Sequence, residues 1–166
     1  MSQQVEMQCA VLAGGCFWGV EELIREINGV MSTDVGYCGG DVENPGYTIV
    51  KTGQTGHAEA VQIYFNPQVI SYENILNLFF KLHDPTTLNQ QGNDLGTQYR
   101  SAIFYMSDEQ KQIAGKIKNE VNQSGKWKKP VVTEIVPFVK FYRAEDYHQD
   151  YLKKNPNGYT CHYWRD

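Results

Sequence analysis

Apolar and polar residues alternate along this chain in blocks whose spacing predicts alternating strands and helices. The apolar run 7–13, followed by a glycine pair, predicts a strand that ends in a sharp turn. Apolar residues then recur at the spacing of one helix face until an Asn-Gly stop signal at 28–29. A second strand is predicted over 30–37.

A strict alternation over 57–65 predicts a strand with two distinct faces. Glu59 shares one face with Val61, Ile63 and Phe65, so its carboxyl is expected to point toward the core. Small and polar residues occupy the other face.

Two longer helices carry clear start signals. Ser71 is a plausible N-cap for a helix that ends at Leu82, and Ser107 with Gln110 forms a capping box for a helix to about residue 123. The remaining regular segments are predicted as strands over 99–106 and 131–138 and a short helix over 145–153. Polar loops are expected over 41–56 and 84–98, and an irregular, mobile tail over 155–166.

This order of elements is typical of an α+β fold: a two-layer sandwich with helices on a mixed, mostly antiparallel sheet. We expect a ferredoxin-like core and an irregular C-terminal tail. No linker or repeat divides the sequence, so residues 1–166 are predicted to form a single catalytic domain.

Composition narrows the class of protein. The chain has 166 residues, is 41% hydrophobic and carries a formal net charge of -4, which argues against disorder and against nucleic acid as a partner. Neither a signal peptide nor a stretch of transmembrane length is present, which predicts a cytoplasmic protein that does not bind membranes. Four widely spaced cysteines without a Cys-x-x-Cys pair fit neither a disulfide scaffold nor a zinc ribbon.

The strongest chemical signal is Cys16, between the first strand and the first helix. Helix N-termini stabilise anions, so this position predicts a lowered pKa and a reactive thiolate. Phe17 and Trp18 follow directly and indicate an aromatic wall for a small, partly apolar substrate. Cys9, inside the first apolar strand, is expected to be inert core.

Other side chains have a catalytic and a structural interpretation. Burial would keep Glu59 protonated as a general acid, or it is a strand-end carboxylate paired with a hydroxyl or lysine. Asp94 is a turn residue or a catalytic acid. Tyr47 and Tyr99 donate phenolic hydrogen bonds to a substrate, or they simply pack.

A second cysteine in the tail suggests a redox cycle. If Cys16 is oxidised to a sulfenic acid, Cys161 on a flexible tail could condense with it to a disulfide. Cys161 could instead be a free exposed thiol, and Cys38, next to two glycines, is another candidate partner.

Several motifs in register resemble the A-type peptide methionine sulfoxide reductases. They include Gly-Cys-Phe-Trp-Gly at 15–19 with Glu21, and further segments at 36–40, 55–61, 83–86, 92–101 and 158–159. Together they run from about residue 9 to the tail. The resemblance implies a thiol-dependent enzyme that reduces methionine-S-sulfoxide, free or in proteins, without a metal or organic cofactor.

The resemblance also implies roles for the candidate residues. Cys16 would attack the sulfoxide sulfur, and Phe17 and Trp18 would contact the substrate methyl group. Glu59 would protonate the sulfoxide oxygen, assisted by three further residues: Tyr47, Tyr99 and Asp94. Cys161 would resolve the sulfenic acid, and thioredoxin would reduce the disulfide.

Two other functions remain open from the sequence. A cysteine acyl-transfer enzyme would need a histidine base, although no spacing of the four histidines supports one. A thioredoxin-binding or redox-sensing module would oxidise Cys16 without turning over a sulfoxide.

Overall fold

The fold is built on a six-stranded sheet, seen in a computed structural model that describes residues 6–165. Its strand order is β7-β6-β1-β3-β2-β8, and every neighbouring pair is antiparallel except β6 with β7. The strands of this sheet are β1 (Gln8–Gly14), β2 (Val30–Cys38), β3 (Ala58–Phe65), β6 (Ser101–Tyr105), β7 (Glu134–Pro137) and β8 (Phe141–Arg143). The intervening β4 (Gln90–Gln91) and β5 (Asp94–Leu95) form a separate short ladder.

Within residues 6–165, five α-helices accompany the sheet. They are α1 (Phe17–Ile24), α2 (Tyr47–Val50), α3 (Tyr72–Leu82), α4 (Asp108–Gln123) and α5 (Tyr151–Lys154). The predicted caps are present: Ser71 Oγ accepts from Asn74 N–H, and Ser107 Oγ accepts from Gln110 N–H, both at 3.1 Å. These bonds satisfy N–H groups that have no partner within the helix.

The two faces of the sheet differ in side-chain size. On the helix-covered face, large apolar side chains such as Leu12, Ile63 and Phe65 form the main core. On the other face, small residues such as Ala58 and Ala60 form a second cluster. The edge strands β7 and β8 are joined by only three residues, so the sheet curls and the end of β7 lies near the start of β8.

The α+β class and the mixed, mostly antiparallel sheet are confirmed by the structure. The ferredoxin-like core stays a prediction, because the central strands are extended by two edge strands in a curled sheet. Within residues 6–165, no helix is long and apolar enough to cross a membrane.

The segment predicted as one helix over 145–153 is broken. A 3-10 turn at Asp146–His148 is followed by Asp150 with φ 52, and α5 begins only afterwards. The Asp150 N–H donates to Glu21 Oε1 at 2.7 Å, so a contact with α1 replaces the local helical pattern. Similarly, the loop predicted over 41–56 contains the single turn α2.

The tail is irregular as predicted, but it packs against α3 and against the turn at 14–16, which is called the nucleophile turn below. His162 Nε2 lies 2.7 Å from the Gly14 carbonyl oxygen, and the Arg165 N–H donates to the Lys81 carbonyl at 2.9 Å. His162 and Arg165 both follow Cys161 in the chain, so these contacts hold the end of the tail in place, and its mobility stays a prediction.

Candidate active site

Cys16 lies at the junction that the sequence predicts, directly before α1. Gly15 turns the chain with φ +102, and a β-carbon there would lie only 2.7 Å from the Gln91 side chain. Only glycine fits both the conformation and the space. The turn leaves Cys16 8% exposed, with its sulfur at the N-terminus of the helix.

The pKa of Cys16 corrects the sequence-based expectation. Burial is the largest effect and raises the pKa of the thiol well above its usual range; the charge that Glu59 carries when ionised raises it further. The Trp18 N–H at the helix start lowers the pKa, but not enough to offset burial. Cys16 is therefore a thiol in the free protein, and the predicted resting thiolate is wrong.

Glu59 occupies the helix-covered face of β3, as its alternation predicts. The carboxyl is 1% exposed and accepts the Phe17 N–H at 3.2 Å. Burial raises the pKa of Glu59 to about 8, with the Phe17 hydrogen bond opposing and the charge of Asp94 adding to the rise. At neutral pH the group is mostly protonated, which is the state that a general acid needs.

A cavity of about 110 Å³ brings these groups together. It is lined by Cys16, Phe17, Trp18, Tyr47, Glu59, Asp94, Tyr99 and Tyr159. At about 30 Å³ for each water molecule, this space matches roughly four waters. It fits the methyl-sulfoxide end of a side chain better than a whole amino acid. All the predicted site residues line it except Cys161.

Tyr47 reaches this cavity from one segment of the chain, and Asp94 and Tyr99 reach it together from another. Tyr47 begins α2, and its N–H donates to Glu145 Oε2 at 3.1 Å. Tyr99 ends a 3-10 turn after β5. The pKa values of both phenols are raised, first by burial and then by the charge of Glu59, so both remain hydrogen-bond donors at neutral pH. Burial also raises the pKa of Asp94.

The aromatic wall has support that the sequence did not reveal. Trp18 stacks on Tyr151 with ring centroids 3.8 Å apart, and its indole N–H donates to His148 Nδ1 at 2.9 Å. The buried His148 ring also packs against Phe17 and Tyr47. Neither His148 nor Tyr151 was singled out, because both lie in a segment interpreted only as a helix.

Comparisons with known proteins agree with this arrangement. The model of the peptide methionine sulfoxide reductase family matches residues 8–166. Peptide methionine sulfoxide reductase MsrA 1 of Mesorhizobium japonicum is 58% identical over 156 residues, which cover 94% of this chain and 88% of that protein. The crystal structure of Mxr1 from Saccharomyces cerevisiae in reduced form has a TM-score of 0.92 at 40% identity, covering 100% of this chain and 96% of that one.

The chain belongs to the peptide methionine sulfoxide reductase family. Both the resemblance to the A type and the prediction that the chain is an enzyme are confirmed. The yeast protein in an unusual oxidized form matches this family member less closely, with a TM-score of 0.71 at 39% identity over 100% of this chain and 93% of that one. The conformation described here is therefore closer to the reduced form.

In this member of the reductase family, the tail places a second sulfur next to the cavity. Cys161 Sγ lies 3.9 Å from Asp94 Oδ2, and the same carboxylate oxygen accepts the Tyr159 hydroxyl at 3.3 Å. Tyr159 belongs to the Gly-Tyr motif near the C-terminus, but the motif alone predicts no role for it. The Gly-Tyr pair at 158–159 was the available signal for it.

The other two cysteines lie on the small-residue side of the sheet. Cys38 is 1% exposed among Ala13, Ala58 and Phe104, and burial raises the pKa of its thiol to about 12. Its neighbour Tyr37 is the residue that pairs with Glu59, so Cys38 faces away from the carboxyl. Cys9 packs against the same cluster, and burial raises the pKa of its thiol to about 11.

Proposed function

We propose that this enzyme reduces methionine-S-sulfoxide, free or in proteins, through a sulfenic acid on Cys16 that Cys161 resolves. The observation that carries the proposal is the shared cavity, in which the Cys16 thiol, the protonated Glu59 and the aromatic pair Phe17 and Trp18 meet. The choice of the S epimer comes from the resemblance to A-type enzymes. We further propose that the enzyme repairs oxidised proteins, and that it does so in the cytoplasm.

In the first step, Cys16 Sγ attacks the sulfoxide sulfur while Glu59 donates a proton to the oxygen. This attack forms a sulfur–sulfur bond between Cys16 and the substrate. The sulfur–oxygen bond of the substrate then breaks and a new one forms on Cys16, while the sulfur–sulfur bond breaks and leaves its electron pair on the methionine sulfur. Two electrons pass to the methionine sulfur, and the Cys16 proton restores Glu59, so free thiol and sulfoxide become sulfenic acid and methionine. Tyr47 and Tyr99 donate hydrogen bonds to the oxygen, and Asp94 assists through water.

Proton transfer within the cavity explains how a thiol with a raised pKa can react. A sulfoxide oxygen leaves poorly unless it is protonated, and a carboxyl kept neutral by burial supplies that proton. While Glu59 is protonated it carries no charge to oppose ionisation of Cys16. The two groups therefore activate each other only when the substrate connects them.

In the second step, Cys161 attacks Cys16 Sγ, a disulfide forms and the hydroxyl leaves as water. Thioredoxin then supplies two electrons and two protons to restore both thiols. A structure of the yeast relative Mxr1 in complex with Trx2 supports a reductant of this class; it matches with a TM-score of 0.68 at 28% identity over 100% of this chain and 95% of that one.

A single-turnover experiment on each epimer tests the proposal. Without reductant, the S epimer should give one methionine per enzyme together with the loss of two thiols, and the R epimer should give neither. No methionine from the S epimer would contradict the assigned activity. Release of methionine without formation of a disulfide would contradict the resolving step but not the reduction of the sulfoxide.

Two cysteine variants separate the steps. Cys161→Ser should keep the first turnover and lose cycling with thioredoxin, because no thiol is left to condense with the sulfenic acid. Cys38→Ala is the matched control and should cycle normally, since Cys38 lies on the far side of the sheet. Undiminished cycling by Cys161→Ser would refute its role.

A further inference from the structure

His162 is buried between the nucleophile turn and Cys161. Its Nε2 lies 2.7 Å from the Gly14 carbonyl oxygen, and its Nδ1 lies 3.8 Å from Cys161 Sγ. A carbonyl only accepts hydrogen bonds, so Nε2 carries the hydrogen of the neutral imidazole. Nδ1 is therefore an acceptor, and the Cys161 thiol is the donor.

The His162 imidazole carries no charge at neutral pH. Burial lowers the pKa of His162 to about 4, the charge of Arg165 lowers it further, and the Gly14 hydrogen bond partly opposes them. The neighbouring buried His83 has a pKa lowered to about 3 and is neutral as well. The lone pair of His162 Nδ1 is thus available to the thiol at neutral pH.

Cys161 requires a proton acceptor because its surroundings favour the thiol. Burial raises the pKa of Cys161, and the charge of Asp94 raises it further, whereas the Tyr159 hydroxyl and the charge of Arg165 lower it. Only a thiolate attacks a sulfenic acid efficiently. Ionisation of Cys161 at neutral pH therefore depends on a group that removes the proton.

Three acceptors surround the sulfur, and they differ in what they can do. The Gln91 carbonyl, at 3.9 Å, accepts a hydrogen bond but not a proton. Asp94 Oδ2, also at 3.9 Å, is already bonded to Tyr159. An imidazole that takes the proton becomes a cation in contact with the new thiolate, and its attraction for the thiolate opposes the repulsion between the thiolate and the Asp94 carboxylate.

We propose that His162 Nδ1 accepts the Cys161 proton as Cys161 attacks the oxidised Cys16, which makes His162 a catalytic residue of the resolving step. This inference rests on the proposed function. The disulfide bond forms as the sulfur–oxygen bond of Cys16 breaks, and the departing hydroxide takes the proton from His162 and leaves as water. No further oxidant or reductant is needed.

His162→Gln provides a selective test. The glutamine amide N–H can still donate to the Gly14 carbonyl, but its oxygen is far less basic than imidazole nitrogen. In single turnover, the variant should release methionine at the wild-type rate. Thiol loss at pH 7 should be roughly 10²-fold to 10⁴-fold slower. The deficit should shrink as the pH rises, because hydroxide then ionises Cys161.

Tyr163→Phe is the matched control, because Tyr163 is the next residue of the tail and is exposed. It should form the disulfide at the wild-type rate. The proposal would be overturned if His162→Gln lost its thiols at the wild-type rate. It would also be overturned if the variant were slower by the same factor at every pH. If wild-type enzyme releases no methionine, the proposed function fails instead.

Measurements on the unaltered enzyme and on Asp94→Asn complete the test. Nitrogen NMR of the labelled imidazole should show hydrogen on Nε2 of His162, and hydrogen on Nδ1 would overturn the proposal. In Asp94→Asn, the pH profile of disulfide formation should move to lower pH, because a charge that opposes thiolate formation is removed. A move to higher pH would identify Asp94 as the base instead.

Discussion

The Phe17 main-chain N–H donates a hydrogen bond to Glu59 Oε1 at 3.2 Å, although 42 residues separate the two in sequence. This bond joins the first turn of α1, which begins next to the nucleophile, to the buried acid on β3. It fixes one carboxyl oxygen and leaves the other available to the cavity that Cys16 also lines. The distance between thiol and acid is therefore set by main-chain structure rather than by flexible side chains.

Glu59→Gln should slow methionine release in single turnover by roughly 10²-fold to 10⁴-fold, because the amide cannot protonate the departing oxygen. Wild-type release should fall as the pH rises through about 8, where Glu59 loses its proton. That fall should be absent from the residual activity of the variant. Glu73→Gln, an exposed position on α3, is the control. A variant as fast as wild type would remove Glu59 from the mechanism.

Trp18→Phe should raise KM for the sulfoxide with a smaller effect on kcat. The change removes the indole donor and leaves buried His148 Nδ1 unpaired, a loss of about 1–3 kcal/mol. It also reduces the stacking on Tyr151, so the wall that contacts the substrate methyl group is less well positioned. Steady-state kinetics measure KM and kcat separately, and Trp164→Phe, at an exposed position, is the control. An unchanged KM would mean that the wall does not bind substrate.

Local patterns predicted the parts of the site that depend on neighbours in sequence. The alternation in β3 places Glu59 on the core face, and the glycine pair before Cys16 predicts the turn. The pKa of Cys16 was not predictable, because burial by the rest of the chain outweighs the helix terminus that sequence reasoning used.

Contacts over long separations account for the residues that were missed. His148 reaches Trp18 across 130 residues, and Tyr159 reaches Asp94 across 65. No periodicity within one segment encodes such pairs. The packed tail is a third case, because Gly15 in the turn and Gly19 in α1 also leave space for His162.

Gly19→Ala and Gly115→Ala should have opposite effects on stability. Both glycines lie within helices, where alanine is intrinsically favoured by about 1 kcal/mol. A β-carbon at Gly115 meets open space, but one at Gly19 would overlap His162 Nδ1 and lie 2.5 Å from Thr160 Oγ1. Gly115→Ala should therefore stabilise the protein, whereas Gly19→Ala should destabilise it and displace the tail.

Urea unfolding and limited proteolysis of the tail distinguish the two glycine variants. Gly19→Ala should also form the disulfide more slowly, since His162 holds Cys161 beside Asp94. If Gly19→Ala is as stable as Gly115→Ala and its tail is equally resistant, the packing of His162 against α1 is not important for the tail.

Two buried carboxyls make the free energy of unfolding depend on pH. Burial raises the pKa of Glu21 to about 7 and that of Glu59 to about 8, against an ordinary value near 4.5. The folded protein holds these protons more tightly than the unfolded chain, so their contribution is complete below about pH 4.5 and declines as the pH rises through 7 to 8. The buried His83 and His162 have lowered pKa values and the opposite effect. They reduce the free energy of unfolding as the pH falls, but only below the ordinary histidine pKa near 6.5.

Between pH 6.5 and 8, the two carboxyls therefore determine how the free energy of unfolding changes with pH. For the wild type it should fall by roughly 1.4 kcal/mol per pH unit for each carboxyl that is still protonated in the folded protein. The double variant Glu21→Gln/Glu59→Gln should show a much flatter profile over this range, measured by urea unfolding. After Glu59→Gln the amide oxygen can still accept from the Phe17 N–H. After Glu21→Gln the amide oxygen can accept from the Asp150 N–H, and the amide N–H can donate to Thr33 Oγ1. Glu22→Gln/Glu73→Gln, on the helix surfaces, should retain the wild-type slope. An equal slope in both double variants would mean that the two buried carboxyls ionise at ordinary pH values.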